Sequence, residues 1–208
     1  KDLELRGAGN ILGAQQSGHI AAVGYDMFCR LLKSTVDRLE AGESLSTETL
    51  RVEETEAGTE LELGLEAYLP EDWIPGQSRR LDVLREISVL HEPAQVEAFG
   101  KSLRERYGRL PGPAQTLLRS IALKVRLDAF GLRSLAWRDG SYLITYTDPV
   151  AFTQLFEGRG LDLRRARRGV MHLFLPTEVQ GPEAGLSWLE ELLQQVPEAA
   201  RMPVGDTQ

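Results

Sequence analysis

Four arginines fall within five consecutive positions, Arg164-Arg165-Ala166-Arg167-Arg168. A guanidinium presents a planar fork of N–H donors that matches carboxylate and phosphate, so this cluster has the chemistry to grip an acidic or phosphorylated partner. On a hairpin edge the same residues have a plainer use, which is to keep a sheet from pairing with its neighbours. A second constellation lies near the start. Arg6 is followed by Gly7, Gly9, Gly13 and Gly18, with Gln15, Gln16, Ser17 and His19 among them. Glycines this dense permit tight turns and close backbone approach, Arg6 supplies forked donors, and the Gln16 amide both donates and accepts. Such a hook can register the rotation of a neighbouring body as an exchange of hydrogen bonds. The plainer reading has Arg6 and Gln16 capping local turns.

Other arrangements exclude more than they offer. No Gly-x-x-x-x-Gly-Lys-Ser/Thr phosphate loop occurs, so the chain has no means of hydrolysing ATP by that route. Gly7-Ala8-Gly9-Asn10-Ile11-Leu12-Gly13 looks like a dinucleotide fingerprint, but its last glycine is one residue late and no buried strand precedes it. His19, His91 and His172 are far apart and lack companions at ligand spacing, so no metal site is expected and each reads as a surface or capping histidine. The single cysteine, Cys29, excludes an intrachain disulfide and sits in an apolar stretch as a buried thiol. Glu53-Glu54 and Glu190-Glu191 read as solvated faces, so no catalytic residue is assigned. Tyr68, Trp73 and Ile74, flanked by Pro70 and Pro75, offer either an aromatic anchor for a protein partner or the packing of a turn, and turn packing is the preferred reading.

These groups need elements to hold them. Met27, Leu31, Leu32, Val36 and Leu39 recur at three- and four-residue steps, which predicts a helix over 25–41. An acidic, Ser/Thr-rich stretch follows. Leu61, Leu63, Leu65 and Ala67 alternate with Glu60, Glu62, Gly64 and Glu66, which predicts a half-buried strand over 60–69. Helices are expected over 81–91, 94–107 and 114–130, then strands near 133–138 and 141–147 around an Asp139-Gly140 hairpin turn. A short helix from Asp148-Pro149 to 157, strands at 162–166 and 170–175, and a last helix over 183–196 complete the pattern. The fold class is therefore α+β, with helices packed on a small, largely antiparallel sheet, preceded by a Gly-rich hook and a linking helix.

The charge is unevenly spread. Net charge along residues 1–72, 73–100, 101–168 and 169–208 is −9, −1, +8 and −5 in turn, within a total of −7 over 208 residues. A total of −7 argues against a protein that wraps nucleic acid, and the lopsidedness suits docking onto another protein. The alternative is a free-standing nucleic-acid-binding module using the basic stretch 101–168. No apolar run approaches the roughly 20 residues that cross a bilayer, so no membrane partner and a cytoplasmic location are expected. The start at Lys1 rather than Met, inside a patterned stretch, points to a piece of something longer.

Residues 1–26 resemble the segment just after the second motor lobe of bacterial transcription-repair coupling factors. They are also similar to the translocation motif of RecG-type branched-DNA translocases. Leu69-Pro70-Glu71-Asp72-Trp73-Ile74-Pro75, Arg80-Leu81, and Glu105-Arg106-Tyr107-Gly108-Arg109-Leu110-Pro111-Gly112-Pro113-Ala114 resemble the C-terminal domain of the coupling factors, which RecG-type helicases lack. The resemblance implies a division into a translocation motif (1–45), an acidic linker (46–59), a C-terminal regulatory domain (60–200) and a tail (201–208). It implies that Arg6 and Gln16, with Gly7, Gly9, Gly13, Ser17, Gly18 and His19, couple motor motion to movement on DNA. It implies ATP and magnesium for the parent protein but none for this piece. The implied partners are the motor lobes and the N-terminal repair-subunit-binding domain of the same protein. Through the parent they also include stalled RNA polymerase, the excision-repair damage-recognition subunit and double-stranded DNA. The C-terminal domain would mask the repair-subunit-binding surface. The resemblance does not say which face docks; charge alone selects the basic stretch 101–168, with Arg164, Arg165, Arg167 and Arg168, as the candidate.

Overall fold

The computed structural model describes residues 58–156 and 158–196. The glycine hook, the helix expected over 25–41 and the tail lie outside the described residues.

Three helices come first: α1 (Gln77–Ser88), α2 (Pro93–Tyr107) and α3 (Gly112–Asp128). Each boundary has a local cause. Gly76 takes φ 91°, a backbone state open mainly to glycine, and launches α1 four residues earlier than the apolar periodicity suggests. The buried face of α1 includes Arg80 beside Val83, Leu84 and Ile87, and an arginine in that stripe hides the first turn from a hydrophobic pattern. Pro93 occupies the first position of α2, where its missing N–H costs nothing. The Gln95 side-chain oxygen accepts from the N–H groups of His91 at 2.9 Å and Glu92 at 3.1 Å, and Gly108 at φ 82° ends the helix.

Helix α3 joins two hydrophobic cores. Its first half contributes Ala114, Leu117 and Ile121 to a cluster with Leu69, Ile74, Val83, Ile87, Val96 and Leu103. Its second half contributes Leu123 and Leu127 to a cluster with Leu135, Tyr142, Ile144, Leu155, Leu173, Leu186 and Leu189. Burying a side chain of this size is worth about 1.5–3 kcal/mol, so one helix fastens two apolar groups that would each be small alone.

The second core is the helix-covered face of a five-stranded sheet. Its strands are β1 (Glu60–Glu62), β2 (Leu132–Arg138), β3 (Ser141–Tyr146), β4 (Asp162–Arg167) and β5 (Val170–Phe174), in the order β1-β2-β3-β5-β4. Only the β1–β2 pair is parallel. Helix α4 (Pro149–Phe156) supplies Phe152, Leu155 and Phe156, and helix α5 (Gly181–Gln194) supplies Leu186, Leu189, Leu192 and Leu193. The register puts Trp137, Tyr142 and Leu173 on the covered face and Ala136, Leu143, His172 and Arg164 on the other.

Strand β1 is the main departure from the sequence reading. The strand expected over 60–69 pairs only through Glu60–Glu62. Gly64 turns away at φ 68°, after which Ala67 and Leu69 are buried in the first core while Leu63 stays in the second. The alternation therefore marks alternate burial across two cores and not a continuous ladder. The entry to β1 is tied down by α3. Thr59 is fully buried, its hydroxyl donates to the Leu132 carbonyl at 2.8 Å, its N–H donates to the Asp128 carboxylate, and Lys124 Nζ donates to its carbonyl at 3.1 Å. The remaining elements lie within a few residues of expectation. The β2–β3 turn has Asp139 and Gly140 at φ 43° and 84°, the left-handed pair that a two-residue hairpin needs.

Candidate docking edge

The four arginines stand on β4 and the turn after it. The order of the sheet makes β4 an edge strand, so among the described residues one side of its backbone has no neighbouring strand. The reversal that pairs β4 with β5 runs through Arg167-Arg168-Gly169, with Gly169 at φ 73°. A β-carbon there would stand 3.1 Å from the Tyr146 carbonyl oxygen, while Tyr146 N–H donates to the Gly169 carbonyl at 3.0 Å. The ladder to β5 is irregular between Arg165 and Arg167, as in a bulge that bends an edge away from casual partners.

The arginines are not equivalent. Arg164 is committed: Nε and Nη2 donate to the two Asp162 carboxylate oxygens at 3.0 and 2.7 Å. Its guanidinium carbon also lies 4.5 Å from the centroid of Phe174, whose ring stacks with His172. The hydrogen bond from Arg164 holds the Asp162 carboxyl below its ordinary range and raises the guanidinium in return. Arg165, Arg167 and Arg168 are exposed and have no carboxylate at ion-pair distance among the described residues. Three free forks beside an open backbone edge form a cationic strip with capacity for anionic oxygens.

A second arginine site was not legible in the sequence. Arg119 on α3 reaches across to α5, where Nε lies 3.1 and 3.2 Å from the Glu190 carboxylate oxygens and Nη2 donates to Glu190 at 2.7 Å and to Ser187 Oγ at 2.9 Å. Nη1 donates to Glu183. Glu190 is thus a half-buried acceptor and not the solvated face expected of the Glu190-Glu191 pair; Glu191 is exposed. The clue lay in the stripe of α3, where Arg119 sits between Leu118 and Ile121 on a helix otherwise apolar there. Near the network the Tyr142 hydroxyl is buried with no hydrogen-bond partner among the described residues, and burial raises its pKa.

The aromatic turn packs inward. Ile74 is fully buried, Trp73 Nε1 donates to the Tyr107 carbonyl at 3.0 Å, and the Trp73 and Tyr107 rings meet edge to face at 5.8 Å. Arg80 fastens the same turn, donating to the Ile74 carbonyl at 3.1 Å. This agrees with the turn-packing reading. His91 is exposed and His172 lies 3.5 Å from Ser141 Oγ. Arg6, Gly7, Gly9, Gly13, Gln16, Ser17, Gly18 and His19 lie outside the described residues. Among the described residues no three His, Cys, Asp or Glu side chains gather as a metal site would need, and no helix is long and apolar enough to cross a membrane.

The family described as TRCF domain matches residues 63–154. The match spans α1 to α3, β2, β3 and most of α4, and ends before β4. The chain is 35% identical over 147 residues to a transcription-repair-coupling factor of Escherichia coli (strain K12), which is 71% of this chain and 12% of that protein. It is 34% identical over 134 residues to one from Mycobacterium bovis, covering 64% of this chain and 11% of that protein. It is 31% identical over 147 residues to one from Helicobacter pylori (strain ATCC 700392 / 26695), covering 71% and 14%. The chain thus spans about an eighth of the length of these relatives. A crystal structure of the C-terminal domain of transcription-repair coupling factor shares the fold at a TM-score of 0.55 and 22% identity, over 68% of this chain and 95% of that one. Through residues 63–154 the chain belongs to the TRCF domain family, the family of the transcription-repair-coupling factors.

Proposed function

We propose that this chain is the C-terminal part of an ATP-dependent, double-stranded-DNA translocase of the bacterial cytoplasm that displaces stalled RNA polymerase and recruits nucleotide excision repair. Residues 1–45 couple motor-lobe motion to translocation, with Arg6 and Gln16 as the hydrogen-bonding contacts and Gly7, Gly9, Gly13, Ser17, Gly18 and His19 shaping the hook. Residues 60–200 form a regulatory domain that covers the surface by which the N-terminal domain captures the damage-recognition subunit. The observation that carries this reading is the match of residues 63–154 to the TRCF domain, with relatives of that name aligned over about two thirds of the chain. The physics agrees with it. A modest, polar docking surface permits a reversible intramolecular interface, whereas a large apolar one would lock it.

ATP and magnesium are not assigned to this chain: the sequence has no phosphate loop, and among the described residues no three His, Cys, Asp or Glu side chains gather as a metal site would need, so no step is derived through either group. The parent's motor lobes would bind both. The hook is tested in the longer protein: Arg6→Ala and Gln16→Ala should each leave ATP binding intact and reduce translocation and polymerase displacement by at least tenfold. Undiminished displacement by both variants would remove the assignment.

A further inference from the structure

We infer that the outer edge of β4 binds an extended acidic segment of a protein partner by strand addition, making it the sixth strand of the sheet. The inference deepens the docking reading above and rests on it for the choice of arginines. Three observations converge. Strand β4 is an edge strand, and alternate residues of an antiparallel edge point their N–H and C=O groups outward, where an incoming strand can pair with them. Its side chains are exposed except the half-buried Leu163, whose N–H already donates to the Leu161 carbonyl at 3.1 Å, so the stretch offered to an incoming strand lies beyond it, toward Arg165 and Arg167. Arg165, Arg167 and Arg168 carry no carboxylate at ion-pair distance among the described residues, whereas Arg164 is held by Asp162 and Phe174.

These features select the partner. Backbone edge groups include carbonyl acceptors, which pair with the N–H groups of a peptide and repel phosphate. The Phe174 ring beside them is already covered by Arg164 and stacked with His172, so among the described residues it offers a nucleobase no open stacking face. That favours a polypeptide over a nucleic acid. Unpaired arginines beside the edge repel cationic strands and offer neutral ones nothing, while carboxylates at alternate positions meet the guanidinium forks. The irregularity between Arg165 and Arg167 interrupts regular pairing there, which excludes a long flat strand and limits the partner to a short segment.

The test uses the 208-residue chain and a synthetic peptide of alternating valine and glutamate, nine residues long, with fluorescence anisotropy and amide hydrogen exchange as readouts. The expected result is saturable binding that slows exchange at amides of residues 162–167. Binding should weaken at least tenfold in the chain carrying Arg165→Glu, Arg167→Glu and Arg168→Glu, and equally when alternate peptide nitrogens are methylated. Circular dichroism of the triple variant confirms that it is folded; a milder Arg167→Gln, Arg168→Gln chain provides the same comparison if it is not. Equal binding of methylated and unmethylated peptides would overturn strand addition, and so would a single-stranded oligonucleotide binding more tightly than the peptide. Because the assay needs no other domain, it can fail while removal of residues 60–208 still unmasks the longer protein, and the two readings are separable.

Discussion

Gly185 tests the packing of α5 on the sheet that carries the docking edge. It is buried within the helix, where alanine is ordinarily the better residue by up to about 1 kcal/mol. A β-carbon at this position would stand 2.6 Å from Trp137 Cζ3 and 3.1 Å from the Tyr142 hydroxyl. Ordinary carbon contacts are about 3.5–4.0 Å, so either α5 lifts by about 1 Å or the indole turns. Turning the indole breaks its edge-to-face contact with Tyr142, whose ring centroid is 5.3 Å away. Such overpacking costs about 1–3 kcal/mol, which exceeds the gain in helix propensity. Gly185→Ala should therefore lose about 1–2 kcal/mol on balance, seen as a lower urea midpoint at unchanged slope. Gly100 supplies the contrast, because its added carbon would meet only the flexible Leu118 Cδ1 at 3.2 Å, and Gly100→Ala should be neutral within about 0.5 kcal/mol. Trp137→Leu in the Gly185→Ala background should recover part of the loss as a coupling between the two sites. A Gly185→Ala chain as stable as the parent would refute the argument.

Arg119→Ala removes the forked bridge between α3 and α5 and leaves the half-buried Glu190 carboxylate without its cation. Partial exposure discounts the loss to about 1–2 kcal/mol, readable by the same denaturation. Arg164→Ala should raise the Asp162 titration midpoint toward the ordinary value of about 3.9, followed by NMR of the side-chain carboxyl. The sign follows from the depressed folded pKa: the Arg164–Asp162 pair adds stability above the unfolded pKa and loses it as pH falls through the folded one. An Asp162 midpoint that does not move would show that Arg164 is not its partner in solution.

The elements that rest on a single periodicity were legible in sequence. Helix α5 shows Leu186, Leu189, Leu192 and Leu193 on one buried face, and the Asp139-Gly140 turn declares its hairpin because few residue pairs accept two left-handed conformations. What failed to show had a nonlocal cause. Strand β1 stops after three residues because Leu63 and Leu69 belong to different cores, and alternation cannot say which neighbour buries a residue. Helix α1 begins early because Arg80 fills a buried position by donating to a carbonyl six residues back. The arginine run was visible, but its placement on an edge came from the order of the strands, and the difference between the held Arg164 and the three arginines with no carboxylate partner among the described residues came from the side-chain geometry. Arg119 was missed because its partners lie more than sixty residues away on another helix.

In the proposed function, residues 60–200 would restrain the longer protein by covering the surface that captures the excision-repair damage-recognition subunit. The direct measurement is the affinity of that subunit for the longer protein with and without residues 60–208. Removal should tighten binding at least tenfold, equivalent to a coupling of about 1.4 kcal/mol or more. Equal affinity of the two proteins would contradict the masking role.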